Sequence, residues 1–293
     1  MSVFSVEFVI ADSELGRRHM SETSGRWLKG CALGCAGVLV VGVLFLVGMT
    51  FSLRSIFDDA HQDREVLVAQ HGENDAFVPA VDGTVPSDRI EAFLAVRQAL
   101  APVCAKVEGV DREMGDFEEL ADDGEPELRV ALPAVFRLTK TMMGLPWIFG
   151  EIERVRNRAL VDADMGLGEY TYVYVMAFHD QLLDPESEAR LFAGSATNNR
   201  VREDLVAMLR RQHEAAVASS GVDGEWLSIL EMEVATLESD PGRIPWQDGL
   251  PEQISMCFQP YRVAVDQTYS AATAEFDLLN STVRGGGLTI EMK

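Results

Sequence analysis

Hydrophobic and polar positions follow two regimes along this chain. The first is an unbroken apolar run, "GCALGCAGVLVVGVLFLVGMTFSL" from Gly30 to Leu53, bracketed by Lys29 and Arg54. Its 24 uncharged residues extend roughly 36 Å as a helix, against about 30 Å of bilayer hydrocarbon, so residues 30–53 are expected to span the lipid bilayer. The run exceeds the roughly 7–15 residue core of a signal peptide, and "MTFSLR" at its end lacks a small-x-small cleavage pattern, so retention is expected over removal. "ALGC" at Ala32–Cys35 is similar to the short box before the modified cysteine of bacterial lipoproteins. In that arrangement, however, the apolar region precedes the cysteine, and here it follows. Gly30 and Gly34 form a small-xxx-small pair, a candidate helix-packing face at the inner edge of the span.

The second regime is helical. After a polar stretch at 54–86, rich in Gly, Pro, Asp and Asn and expected as a linker, apolar residues recur at helical spacing. Ser87 and Asp88 are expected to cap "SDRIEAFLAVRQAL", with Ile90, Phe93, Leu94, Arg97 and Ala101 on one side and a kink or break at Pro102. A helix is expected over Glu127–Met143, and another in "WIFGEIERVRNRAL" with Ile148, Ile152, Val155 and Ala159 inward. "GLGEYTYVYVMAFHDQLL" reads two ways: Tyr170, Tyr172 and Tyr174 alternate as in a strand, but Leu167, Tyr170, Val173, Tyr174, Ala177, Phe178 and Leu182 fit a helix. The length of the run and the lack of a strand to pair with it favour helix. Two further helices, one capped by Asn198 or Asn199 and one by Asp223, precede a last long helix to Asn280, bent at Pro260. "RGGG" ends it.

The expected fold class is therefore all-α: one N-terminal transmembrane helix followed by an extracytoplasmic bundle of about six helices. The expected organisation is a cytoplasmic leader at 1–29, whose true start is Met20, then the span at 30–53, the linker at 54–86, the helical domain at 87–284 and a frayed tail at 285–293.

Charge sets the orientation. Arg17, Arg18, Arg26 and Lys29 precede the span, and Asp58, Asp59 and Asp63 follow it, which places the N-terminus in the cytoplasm, the bulk outside and the protein in the inner (plasma) membrane. The four basic residues of the leader cancel Glu7, Asp12, Glu14 and Glu22, so the net charge of −22 belongs to the outer part. That surplus argues against nucleic acid and leaves an envelope protein as the expected partner.

Candidate chemistry is sparse. Cys104 and Cys257 lie where an oxidising compartment allows a disulfide, closing a long loop. No Cys-x-x-Cys or His–Cys spacing suggests zinc, and no metal or cofactor is expected. His179 and Asp180 in "FHDQ" and His213 in "RQHEAA" are the candidate acid–base residues of a membrane-tethered hydrolase. Adjacent helical residues point about 100° apart, so a solvated or capping role is expected for them instead. Glu151, Arg154 and Arg158 are expected to lace one exposed helix face, with Arg156 elsewhere on the barrel. Ser195 and Ser255 sit in no nucleophile motif, and Trp147, Trp226 and Trp246 read as core aromatics or as the lining of an apolar groove. The function class expected from this pattern is a binding, scaffold or assembly protein.

The orientation is tested by fusing alkaline phosphatase after Lys293. Active phosphatase is the expected result; an inactive fusion alongside an active cytoplasmic reporter at the same point overturns it.

Overall fold

A computed structural model describes residues 60–122, 144, 147–183, 196–241 and 243–278. The apolar run 30–53, the Gly30/Gly34 pair and the helix expected at Glu127–Met143 lie outside them. Among the described residues there is no strand, and no helix is long and apolar enough to cross a membrane.

The elements are helices α1 (60–71), α2 (Ser87–Asp122), α3 (147–162), α4 (Leu167–Ala177), α5 (His179–Leu182), α6 (Ala196–Ala218) and α7 (Gly224–Ser239), then α8 (Glu252–Phe258), α9 (Arg262–Thr268) and α10 (Ala271–Leu278). Two 3-10 turns join them, at Asn74–Ala76 and Gln259–Tyr261. The described helices are thus more numerous and shorter than expected, chiefly because the single C-terminal helix is three. Pro260 lies in the second 3-10 turn, and the chain opens again at Tyr269 and Ser270, whose hydroxyl goes to Glu108 of α2 at 2.8 Å.

The tyrosine segment is α4, and it sits at the centre. Every one of its residues is buried except Glu169, the condition in which a helix can be apolar on all sides. It packs against α2, the first 3-10 turn, α6 and α8. Phe93 of α2 contacts the rings of Tyr170, Tyr174 and Phe178, and Phe77 meets Tyr172. The β-branched Thr171 is accommodated by turning its hydroxyl onto Leu167 O at 2.9 Å. Contact on every side outweighs the weak strand preference of Tyr, Thr and Val.

Other expectations change. Pro102 does not break its helix; it stands exposed on α2, which runs on because Leu100, Val103, Cys104 and Val107 are buried on the opposite side. Ser87 is the first residue of α2 and not its cap, with Pro86 O accepting from Arg89 N and Ile90 N. Leu100, fully buried, takes the inward place expected of Ala101, which is exposed. Helix α6 begins at Ala196, so Asn198 and Asn199 fall in its first turn. Asp223 does cap α7, accepting from Glu225 N at 3.0 Å.

The largest change concerns the expected linker. Its described part contains α1, and Ala60, Leu67 and Val85 are buried in the core. Asn157 of α3 donates to Ala60 O at 3.0 Å, and Arg211 of α6 reaches the backbone and carboxylate of Asp75. Local composition read as loose; these packing partners lie 97 and 136 positions away in the chain.

One glycine makes the central helix fit. A Cβ on Gly168 would sit 2.1 Å from Asn74 O, so only glycine lets the 3-10 turn lie against α4. Gly168→Ala, which in an isolated helix stabilises by about 1 kcal/mol, is expected here to destabilise by about 1–3 kcal/mol. A urea midpoint lowered without loss of helical circular dichroism checks this.

Candidate functional site

The densest buried polar arrangement surrounds the turn after α7. That helix would end with open carbonyls, and Arg202 of α6 supplies the donors: its guanidinium reaches Leu237 O, Asp240 O at 2.7 Å and Arg243 O at 3.2 Å. The chain then turns at Trp246, whose φ of +60° is rare for so large a side chain. Three contacts hold it there. Glu233, 7 % exposed, accepts from Trp246 N at 2.6 Å; His179 Nε2 donates to Trp246 O at 2.8 Å; and the indole stacks on Trp226 with centroids 5.9 Å apart. Arg243 lies 3.6 Å from Glu233 and 2.7 Å from Asp248, closing the turn on the outside.

This geometry assigns His179. A carbonyl only accepts, so Nε2 carries the proton, and Nδ1, 3.6 Å from Asp180 Oδ1, is beyond hydrogen-bond reach. The imidazole is 2 % exposed. Asp180 points outward to Arg262 of α9 at 2.8 Å, a hydrogen bond that holds its carboxyl below the usual carboxylate range. The solvated role expected of His179 is therefore corrected: it is a core histidine tying α5 to the turn, while Asp180 ties α5 to α9. His213 lies on α6, partly exposed.

A second buried cation stands in the aromatic core. Arg97 of α2, 1 % exposed, donates to Thr268 O at 2.7 Å and to Tyr170 OH at 3.2 Å. Its guanidinium lies 5.3 Å from the Tyr174 ring centroid and 5.5 Å from that of Phe178. It thereby caps the last carbonyl of α9 with a cation. Elsewhere on α4, burial pushes the Tyr172 phenol above its ordinary range, so that it stays neutral.

The arginine-rich helix α3 does not lace a single face. Glu151 pairs with Lys106 of α2 at 2.7 Å, and Arg158 with Asp63 of α1 at 3.9 Å as well as with Asp162. Arg156 is buried, with Nε and a terminal nitrogen each 3.3 Å from Asn157 Oδ1. Arg158 and Asp162 thus lace an exposed part of α3 by an i,i+4 pair, as expected, while Glu151 and Arg158 also reach the neighbouring helices and Arg156 is buried.

Cys104 and Cys257 are not joined. Cys104 Sγ is 3.5 Å from Thr273 Oγ1, while Cys257 accepts from Val85 N and donates to Gln253 O. Ser195 lies outside the described residues, and Ser255 is exposed. Trp226 and Trp246 are core, and Trp226 Nε1 donates to Val81 O at 2.8 Å. An open depression of about 450 Å³ lies beside Trp226, between Val81, Asp82, Val222, Asp223 and Gln253. Among the described residues, no three His, Cys, Asp or Glu side chains are grouped to hold a metal ion.

No protein-family model, no curated protein and no solved structure matches the chain.

Sequence reasoning missed Glu233, Arg202 and Arg243. Each sits at an unremarkable helical or turn position, and its role depends on carbonyls and amides remote in the chain. Removing the imidazole in His179→Ala leaves Trp246 O without its buried donor and is expected to cost about 1–3 kcal/mol, whereas His213→Ala should stay within about 0.5 kcal/mol. Chemical denaturation of the two variants checks the contrast.

Proposed function

We propose that the chain is a single-pass protein of the inner (plasma) membrane, anchored by residues 30–53 with its N-terminus in the cytoplasm. Its acidic helical domain then serves outside as a binding, scaffold or assembly module for another envelope protein. The membrane assignment rests on the uncharged length of that run and on the basic residues before it. The observation that carries a binding over a catalytic role is the use of the best acid–base candidates as structural ties. His179 is buried on Trp246 O and Asp180 is held by Arg262. A general base needs to reach a substrate proton, and this imidazole faces the core. The acidic surplus of the outer part favours partners with basic surfaces.

Exposed apolar side chains give the test its positions. Met256 on α8 and Val263 on α9 are 60 % and 71 % exposed. A photoreactive residue at Met256 or Val263, expressed in intact cells, is expected to yield a discrete adduct with one envelope protein. The same probe at the exposed Gln70 of α1 should not form it. Hydrolysis of an ester, peptide or glycan substrate by the purified chain, abolished by His213→Ala, would replace this reading with a membrane-tethered hydrolase.

A further inference from the structure

The contact between the first 3-10 turn and α6 differs from the other ties. Asp204, partly buried on α6, receives a hydrogen bond from Asn74 Nδ2 at a long 3.3 Å. Asn74 is 7 % exposed, and its Oδ1, also buried, has no hydrogen-bond partner among the described residues. A carboxylate only accepts, so in its charged form Asp204 has nothing to offer that oxygen. A protonated carboxyl beside a carboxamide can do more: the amide N–H donates to one carboxyl oxygen while the carboxyl O–H donates to the amide oxygen.

We propose that Asp204 and Asn74 form a proton-operated clasp, closed by a second hydrogen bond from Asp204 to Asn74 Oδ1 when the carboxyl takes up a proton. The surroundings favour the neutral form. Burial is the largest influence moving the Asp204 carboxyl above the usual carboxylate range, and Asp75 from the turn and Glu203 from α6 push the same way. The Asn74 hydrogen bond and Arg200 on α6 oppose them. The other cations of α6 are engaged elsewhere: Arg202 by the carbonyls after α7, Arg210 by Glu238 of α7 and Arg211 by Asp75. From α4, which closes the turn on its other side, the one acid is Glu169, and it is bound to Arg89 through both oxygens. Glu73, just before the turn, lies 3.7 Å from Arg64.

The sign of the pH effect follows from linkage. A carboxyl whose folded value lies above its unfolded one binds protons more tightly in the folded state. Its charge therefore weakens the fold above the folded value; the penalty is lost as pH falls through that value and is gone below the unfolded one. Acidification tightens the chain after α1 onto α6, where Gln212 already holds Ala80 O at 2.6 Å.

The test is a set of thermal melts of the full chain in detergent between about pH 8 and pH 5, for wild type, Asp204→Asn, Asn74→Ala and the double variant. Asp204→Asn carries a neutral donor at every pH. It is expected to melt about 2–4 °C above wild type at the alkaline end, with the gap closing toward the acid end and narrowing when Asn74→Ala is also present, where only the burial and charge part is left. A gap that is absent, independent of pH or unaffected by Asn74→Ala overturns the clasp. Should a variant fail to fold, carbon-13 NMR of wild type decides: an Asn74 side-chain carbonyl resonance that moves downfield as the Asp204 carboxyl takes up its proton upholds the clasp, and one that stays still through that titration overturns it.

Discussion

The complete burial of α4 is the constraint on which the rest of the described fold depends. A helix apolar on all sides is stable in water only if other elements cover every side, and here α2, the first 3-10 turn, α6 and α8 do so. The covering elements must approach closely, which is why Gly168 faces Asn74 O and why Phe93, Tyr170, Tyr174 and Phe178 meet as tilted or edge-on rings. Short helices can wrap such a centre more completely than long straight ones. In the C-terminal part, α8 packs on α4, while α9 and α10 pack on α2.

Wrapping with short helices creates many helix ends, and each end leaves backbone groups in need of partners. Long side chains meet much of that need. Arg202 reaches the carbonyls at the end of α7, Arg97 the end of α9, and His179 and Glu233 hold the two sides of the Trp246 peptide. Arginine suits this work because its planar fork offers several donors and its charge is not lost on burial. His179, one of the residues that resemble chemistry in the sequence, is thereby committed to architecture.

Much of the fold class was legible in the chain alone. Apolar positions at helical spacing marked α2, α3, α6 and α7, and Asp223 marked the start of α7, because periodicity and capping are local properties. The tyrosine segment was legible only by length, since its residue types lean toward strand. The candidate site was less legible. Cys104 and Cys257 read either as a disulfide pair in an oxidising compartment or as free thiols on apolar stripes, and their sulfurs find separate partners in Thr273 and in Val85 and Gln253. Whether two thiols meet depends on where their helices stand in space, which spacing along the chain does not encode.

What the amino-acid sequence by itself determined is what depends on near neighbours or on sums: helical periodicity, the uncharged length of residues 30–53, and a charge of −22 carried by the residues after 53. What only the tertiary structure decided is what depends on distant groups meeting. The polar stretch after residue 60 became a packed helix and turn because Asn157 and Arg211 reach it from α3 and α6. Pro102 stayed within a helix because the buried residues before and after it, Leu100, Val103, Cys104 and Val107, anchor α2 on the opposite face. His179 became a core residue because the Trp246 carbonyl, 67 positions away, came to its ring. In each case burial converted a side chain with several local options into one with a single partner, because an unpaired polar group in the core costs more than the local preference is worth.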